Sequence, residues 1–328
     1  MANIAKEALR NEIARLENVN CKLRDLSKHG RNLNLQALSG DIAPVFNREA
    51  EVESIMKLLL RRTKPNILLT GPAGCGKTAI AEALASYIAN QRLEWVAKQD
   101  KANGAYRRAL RECEVDEETG ELLNPPAEPS IPKPPLCDAI IYELSMNSMV
   151  SGTKYRGEFE EKLENILALC KADRNVILFI DEIHQINTIG GSEGASNMGQ
   201  ILKPAMARAE VRIIGATTTE ESAILKKDKA LARRFSELEV RPLTGETAVT
   251  TAESILADYE KYHGVKARGI TAKNILEMVN FHIGGVFPNN FIDAIDEAMS
   301  GAKYEGATAI TMEEIKATVG RMSGHIIL

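Results

Sequence analysis

Eight residues, Gly71-Pro72-Ala73-Gly74-Cys75-Gly76-Lys77-Thr78, match the pattern GxxxxGK[ST]. They follow the apolar run Asn66–Thr70 (NILLT) and open the helical stretch AIAEALASYIA, the strand–loop–helix setting that the pattern requires. Glycines let successive backbone N–H groups face an anion, and the helix N-terminus adds its partial positive charge. Lys77 would reach the β- and γ-phosphates of ATP, and the Thr78 hydroxyl would bind Mg²⁺. Cys75 reads as a passive occupant of the loop rather than a nucleophile. Further along, Val176–Ile180 (VILFI) is an apolar run from whose C-terminal end two carboxylates, Asp181 and Glu182, emerge. In doubly wound sheets ligands sit at that end of the strands. Asp181 would hold the Mg²⁺ water shell, and Glu182 would polarise an attacking water. Alone, such an acidic pair could merely cap the next helix; beside a phosphate loop it points to hydrolysis.

These side chains need a sheet to bring them together. Four short apolar runs, Asn66–Thr70, Ala139–Leu144, Val176–Ile180 and Val211–Gly215, alternate with helical stretches, which predicts a parallel sheet in an α/β domain. Past Pro242 the chain reads as helices around 245–263, 271–282, 288–303 and 311–321, with no strand. The expected architecture is a P-loop α/β domain over 31–241 followed by a small all-helical lid subdomain over 242–328. Residues 1–30 form an N-terminal helix in which Leu9, Ile13, Leu16 and Leu23 recur at helical spacing around Asn20. It would lie on its own domain or, alternatively, form a short coiled coil with Asn20 fixing the register. An insertion over 95–137 carries a charged helix, an acidic stretch (112–121) and then six of the twelve prolines. Such a tract belongs on the surface, as an extended or polyproline-like loop.

The 328 residues, 44% hydrophobic and 26% charged, are ordinary for a globular chain of one large domain and a smaller one. A net charge of −4 supplies no global basic field for nucleic acid. No apolar run is long enough to span a membrane, and the N-terminus lacks the apolar core of a secretory signal. The five cysteines are scattered without CxxC or metal spacing, which reads as reduced thiols in a cytoplasmic setting.

Several separate stretches together resemble the first AAA+ module of the Clp-type protein-remodelling ATPases, ClpA more closely than ClpB. They are GRNLNLQALSGDIAPVFNREAEVE, GTKYRGEFEEKL, VILFIDEIH, EGASNMGQILKPAMARAEVRIIGATT, KDKALARRF and FPNNFIDAIDEA. The likeness runs from about Gly30 to Ala302, apart from the insertion. It implies the AAA+ fold, a homo-oligomeric ring, a hexamer, and a protein substrate threaded at the cost of ATP. It also implies that Thr218 is sensor 1, with Thr217 the neighbouring alternative. Arg233 and Arg234 match arginine fingers, inserted from an adjacent subunit. Lys154, Tyr155 and Arg156 match an axial pore loop in which Tyr155 would grip polypeptide, and Gly190–Gly194 resembles a second pore loop.

Three departures qualify the likeness. The chain reads as one module, with no second ATPase module and with the N-terminal helix in place of a globular substrate domain. It contains no [LIV]-G-[FL] tripeptide, which argues against coupling to a ClpP-type peptidase. Asn290 stands where the family's lid motif LPDKAID has lysine, which would remove a positive charge near the nucleotide. The leading expectation is a ring-forming unfoldase; the alternative is an ATP-gated assembly factor or loader that binds a partner without threading it. A small-molecule kinase fits poorly, because trans arginines and a helical lid have no use there.

Overall fold

The computed structural model describes residues 2–114, 119, 122–150, 156–187, 198–325 and 327. Helix α1 (Ala2–Lys22) bends at Leu23 into α2 (Arg24–His29), and the chain enters a short strand, β1 (Gly30–Asn32). Leu16, Leu23 and Leu26 are buried in the same apolar cluster as Tyr142 and Leu178. Asn20 accepts hydrogen bonds from the Tyr142 hydroxyl and from Asn32 Nδ2. The N-terminal helix therefore lies on its own α/β domain, and Asn20 is bonded within it; the coiled-coil alternative is corrected by that packing.

After α3 (Leu33–Ser39) and α4 (Glu49–Leu59) come β2 (Asn66–Thr70), the 36-residue α5 (Lys77–Glu112) and β3 (Ile140–Leu144). Then follow α6 (Met146–Val150), α7 (Arg156–Ala172), β4 (Val176–Ile180), a 3₁₀ turn (Ile183–Asn187), α8 (Met198–Ala207) and β5 (Arg212–Thr217). Helices α9 (Thr219–Lys227) and α10 (Lys229–Ala232) lead to β6 (Phe235–Glu239). The strand order is β1-β3-β4-β5-β2-β6, parallel throughout except for β1, which pairs antiparallel with β3. Side chains alternate between two apolar layers: Tyr142, Leu178 and Ile213 face one, and Ile141, Phe179 and Ile214 face the other. A sheet covered on both faces explains why the central strands read as unbroken apolar runs.

Two strands of this sheet go beyond the four apolar runs read from the sequence. β1 has three residues, and β6 (FSELE) has no fully buried position, with Glu237 and Glu239 exposed. Both lie at sheet edges, where charged residues suit the exposed ladder. The proline-rich part of the insertion is held against α5. Trp95 Nε1 on α5 donates to the Ile131 carbonyl at 3.3 Å, and Lys133 Nζ lies 5.2 Å from the Trp95 ring centroid. Arg92 on the same helix bridges Glu12 of α1 and Asp138.

The lid is built from α11 (Gly245–His263), α12 (Ala272–His282), α13 (Asn289–Tyr304) and α14 (Met312–Ser323) around Ile275, Val279, Phe291, Ile295 and Ile315. Capping boxes at Thr271 and Thr311 start α12 and α14. The expectation of a strand-free lid needs correction: β7 (Lys266–Ala267) and β8 (Ala309–Ile310) form a small parallel pair. Two residues per strand are too few to show the period-2 alternation from which strands are read.

Candidate active site

The phosphate-type loop joins β2 to α5. Its first glycine is forced by close approach, since a Cβ on Gly71 would lie 2.3 Å from the Val240 carbonyl oxygen. Its last, Gly76, has φ +94°, in the left-handed region that suits glycine. Lys77 Nζ donates to the carbonyls of Gly71 at 2.9 Å and Pro72 at 2.8 Å, so the ammonium lies over the loop. Burial pushes the Cys75 thiol up, against the pull of Lys77 and Arg48, which fits an inert occupant.

Thr78 Oγ1 donates to Asp181 Oδ2 at 2.6 Å, so the first turn of α5 and the end of β4 meet through the two side chains expected to serve Mg²⁺. The other oxygen, Oδ1, accepts the Glu182 N–H at 2.8 Å. Glu182 is exposed, with φ +47°, an uncommon conformation for a residue with a side chain. Its carboxylate accepts from Gln185 Nε2. One 3₁₀ turn on, His184 is buried with Nδ1 at 3.0 Å from Thr217 Oγ1 and 3.2 Å from Glu221 Oε2.

The two candidate threonines differ in what holds them. Thr217 ends β5, fully buried, with its hydroxyl on His184. Thr218 caps α9: Oγ1 accepts the Glu221 N–H at 3.2 Å and donates to Glu221 Oε2 at 2.8 Å. That hydrogen bond, with His184 nearby, holds the Glu221 carboxyl below the usual carboxylate range. The box is written in the sequence as Thr218-x-x-Glu221 and was readable there. His184 was readable too, as the residue a single turn beyond the acidic pair, but an isolated histidine carries no signal until Thr217 is seen beside it.

Gly74, Lys77, Thr78, Asp181, Glu182, Thr217, Thr218 and Glu221 line one cleft of about 770 Å³, with His184 buried behind Thr217. Pro288, Asn289 and Ile292 of the lid close it on another side. Asn290 does not line it. The residue is 4% exposed and donates to Asn280 Oδ1 at 3.4 Å inside the lid. The expectation that Asn290 removes a charge beside the nucleotide is thereby corrected: successive helical residues turn by about 100°, so Asn289 faces the cleft and Asn290 faces the lid core.

The donor set suits a hard, small cation. Such a cation takes one or two protein oxygens and completes its shell with water and phosphate. Thr78 and Asp181 supply those oxygens, and among the described residues no cluster of three or more His, Cys, Asp or Glu offers an all-protein cage.

Arg233 and Arg234 lie elsewhere. They immediately precede β6, whose Phe235 pairs with Asn66 at the start of β2, whereas the phosphate loop follows Thr70 at its end. Five residues of strand, roughly 16 Å, separate the arginines from their own loop. Both are exposed, and among the described residues neither forms an ion pair. Lys154 and Tyr155 lie outside the described residues, as does Gly190–Gly194; Arg156 opens α7.

A family model described as "ATPase family associated with various cellular activities (AAA)" matches residues 67–243, from the phosphate-loop strand through β6. The chain belongs to the AAA family of ATPases. As a family member it is an ATP hydrolase, and its relatives are of the Clp type. The chaperone protein ClpB of Aquifex aeolicus is 34% identical over 305 residues, 92% of this chain and 26% of that protein. A ClpA homologue from Pyropia yezoensis, an ATP-binding subunit of an ATP-dependent Clp protease, is 37% identical over 281 residues, 85% of this chain and 30% of that protein. Among solved structures, the S. cerevisiae Hsp104–ADP complex superposes with a TM-score of 0.69 at 27% identity, over 92% of this chain and 46% of that one. The extended S. cerevisiae Hsp104–casein complex gives 0.67 at the same identity and coverage of this chain, and 45% of its own. The chain thus spans about a quarter to a third of the curated relatives it matches. No described helix is long and apolar enough to cross a membrane.

Proposed function

We propose that this AAA ATPase works as a homo-oligomeric ring, a hexamer, that remodels protein substrates by threading them through its axis. The observation that carries the reading is the split of the hydrolytic groups. Lys77, Thr78, Asp181 and Glu182 converge on one cleft, while Arg233 and Arg234 stand at the opposite end of β2 and β6, exposed. An arginine so placed cannot serve its own nucleotide; in a ring it reaches its neighbour's, where such a group neutralises transition-state charge. Residues 31–241 form the nucleotide-binding body, and 242–328 the lid that contributes Pro288, Asn289 and Ile292 to the cleft.

In this reading Lys77 and the loop amides bind the phosphates of ATP. Mg²⁺, held through Thr78 and Asp181, would neutralise phosphate charge. Glu182 orients and deprotonates the attacking water, and Thr218 contributes a hydroxyl beside it. Relatives support the substrate class: Hsp104 has been solved with casein. Tyr155, flanked by Lys154 and Arg156, is assigned to grip the polypeptide by aromatic packing that is indifferent to sequence.

The test is Tyr155→Ala, with loss of fluorescence from a tagged folded substrate measured beside phosphate release. Unfolding should collapse while ATP hydrolysis and assembly persist. Equal unfolding by variant and parent would remove threading through this loop. If neither unfolds substrate yet both assemble with ATP, the assembly-factor reading replaces it.

A further inference from the structure

We infer that Arg48 is a positioning residue for nucleotide binding, a guanidinium that locks the phosphate loop in its anion-binding conformation and ties that loop to the lid connection. The inference rests on the assignment of ATP to the 71–78 loop. Arg48 caps the start of α4 and is 4% exposed, a depth at which arginine is rarely found without full pairing. Its fork is held by Glu51 one turn along α4 and by two segments distant in sequence. Nη2 donates to the Cys75 carbonyl at 2.7 Å, and Nη1 donates to the Arg241 carbonyl at 3.0 Å and to Glu51 Oε1 at 2.6 Å.

The bond to Cys75 matters most for the site. A peptide unit is planar and trans, so its C=O and N–H point in opposite directions. Holding the Cys75 carbonyl toward buried Arg48 aims the Gly76 N–H the other way, toward the cleft that Gly76 lines and Cys75 does not. Gly76 has φ +94°, so no side chain opposes a flip of that peptide. The guanidinium supplies the restraint that glycine cannot. The same fork holds Arg241, just after β6 and ahead of lid helix α11. The preceding residue, Asn47, at φ +55°, donates to Thr251 Oγ1 of α11 at 2.7 Å. Residues 47 and 48 thus join α4, the phosphate loop and the lid.

Arg48→Lys keeps the charge but not the planar fork, so one ammonium must choose among acceptors that the guanidinium served together. We expect the KM for ATP and the Kd of a fluorescent ADP analogue to rise about 10–100-fold, as losing a charge-assisted hydrogen bond implies. The kcat at saturating ATP should change less than about threefold, since uniform binding is what is lost. Glu51→Gln removes the ion pair on α4 without touching either carbonyl, and should leave KM within about twofold. An unchanged KM in Arg48→Lys overturns the proposal. So does an equal rise in Glu51→Gln, because Arg48 would then act only by seating α4. Lys77→Ala, run alongside, separates the two claims: if it binds nucleotide normally, the loop assignment itself is wrong, whatever Arg48 does.

Discussion

The two ends of the central sheet are furnished in opposite ways. At the C-terminal ends of β2, β4 and β5 the polar side chains satisfy one another: Thr78 with Asp181, His184 with Thr217, Thr218 with Glu221. At the N-terminal end of β6, Arg233 and Arg234 are exposed, with no ion pair among the described residues. A cluster closed on itself is pre-organised and can act within one chain. A guanidinium fork without a carboxylate of its own is available to a second chain, and its bidentate geometry suits phosphate. The contrast predicts that the first region fails one subunit at a time, whereas the second fails its neighbour.

The largest expected effect lies at the end that carries Arg233 and Arg234. Replacing Arg233 and Arg234 by alanine should lower kcat by roughly 10³–10⁵-fold, with ADP-analogue binding retained, measured by phosphate release and fluorescence titration. A comparable loss of binding would mean that the pair serves its own cleft and would erase the contrast. Next is Glu182→Gln, expected to slow hydrolysis by about 10²–10⁴-fold while ATP still binds. Near-parental turnover would remove Glu182 from the chemistry.

The smallest effect is the change in stability of Thr218→Val, which sharpens the description of the closed cluster. Losing an N-cap hydroxyl should cost about 1 kcal/mol of stability by thermal melting near pH 7. The Glu221 carboxyl, which Thr218 holds below its usual range, stabilises the folded chain above the ordinary glutamate pKa of about 4.3 and ceases to as pH falls through its lowered folded value. The variant should therefore lose less stability than the parent across that acid window. Parallel melting curves would show that Thr218 does not set the Glu221 titration.

The phosphate loop and the acidic pair were legible because each is a local pattern, eight and two adjacent residues set against an apolar strand. The central strands were legible for a related reason, being apolar on both faces. β6 was not, because an edge strand keeps Ser236, Glu237 and Glu239 toward solvent or half-buried, and such a run has no apolar signature. Asn290 was placed on the wrong side of its helix because a motif fixes a residue's register but not which neighbour faces the ligand. Arg48, within NREAEVE, carries no local signal of its role. Its partners at 51, 75 and 241 come together only through the fold, and no spacing along the chain encodes that meeting.

The division of labour between the two ends is tested most directly by mixing two inactive proteins. An Arg233→Ala/Arg234→Ala chain keeps an intact cleft but lacks fingers; a Lys77→Ala chain keeps its fingers but loses its phosphate ligand. Phosphate release is followed as the two are combined at increasing ratios under assembling conditions. Hydrolysis should return in the mixtures, where an intact cleft meets the arginines of an adjacent Lys77→Ala subunit, although each protein alone is silent. Silence at every ratio, in rings shown by labelling to contain both chains, would contradict an ATP site completed by a neighbour.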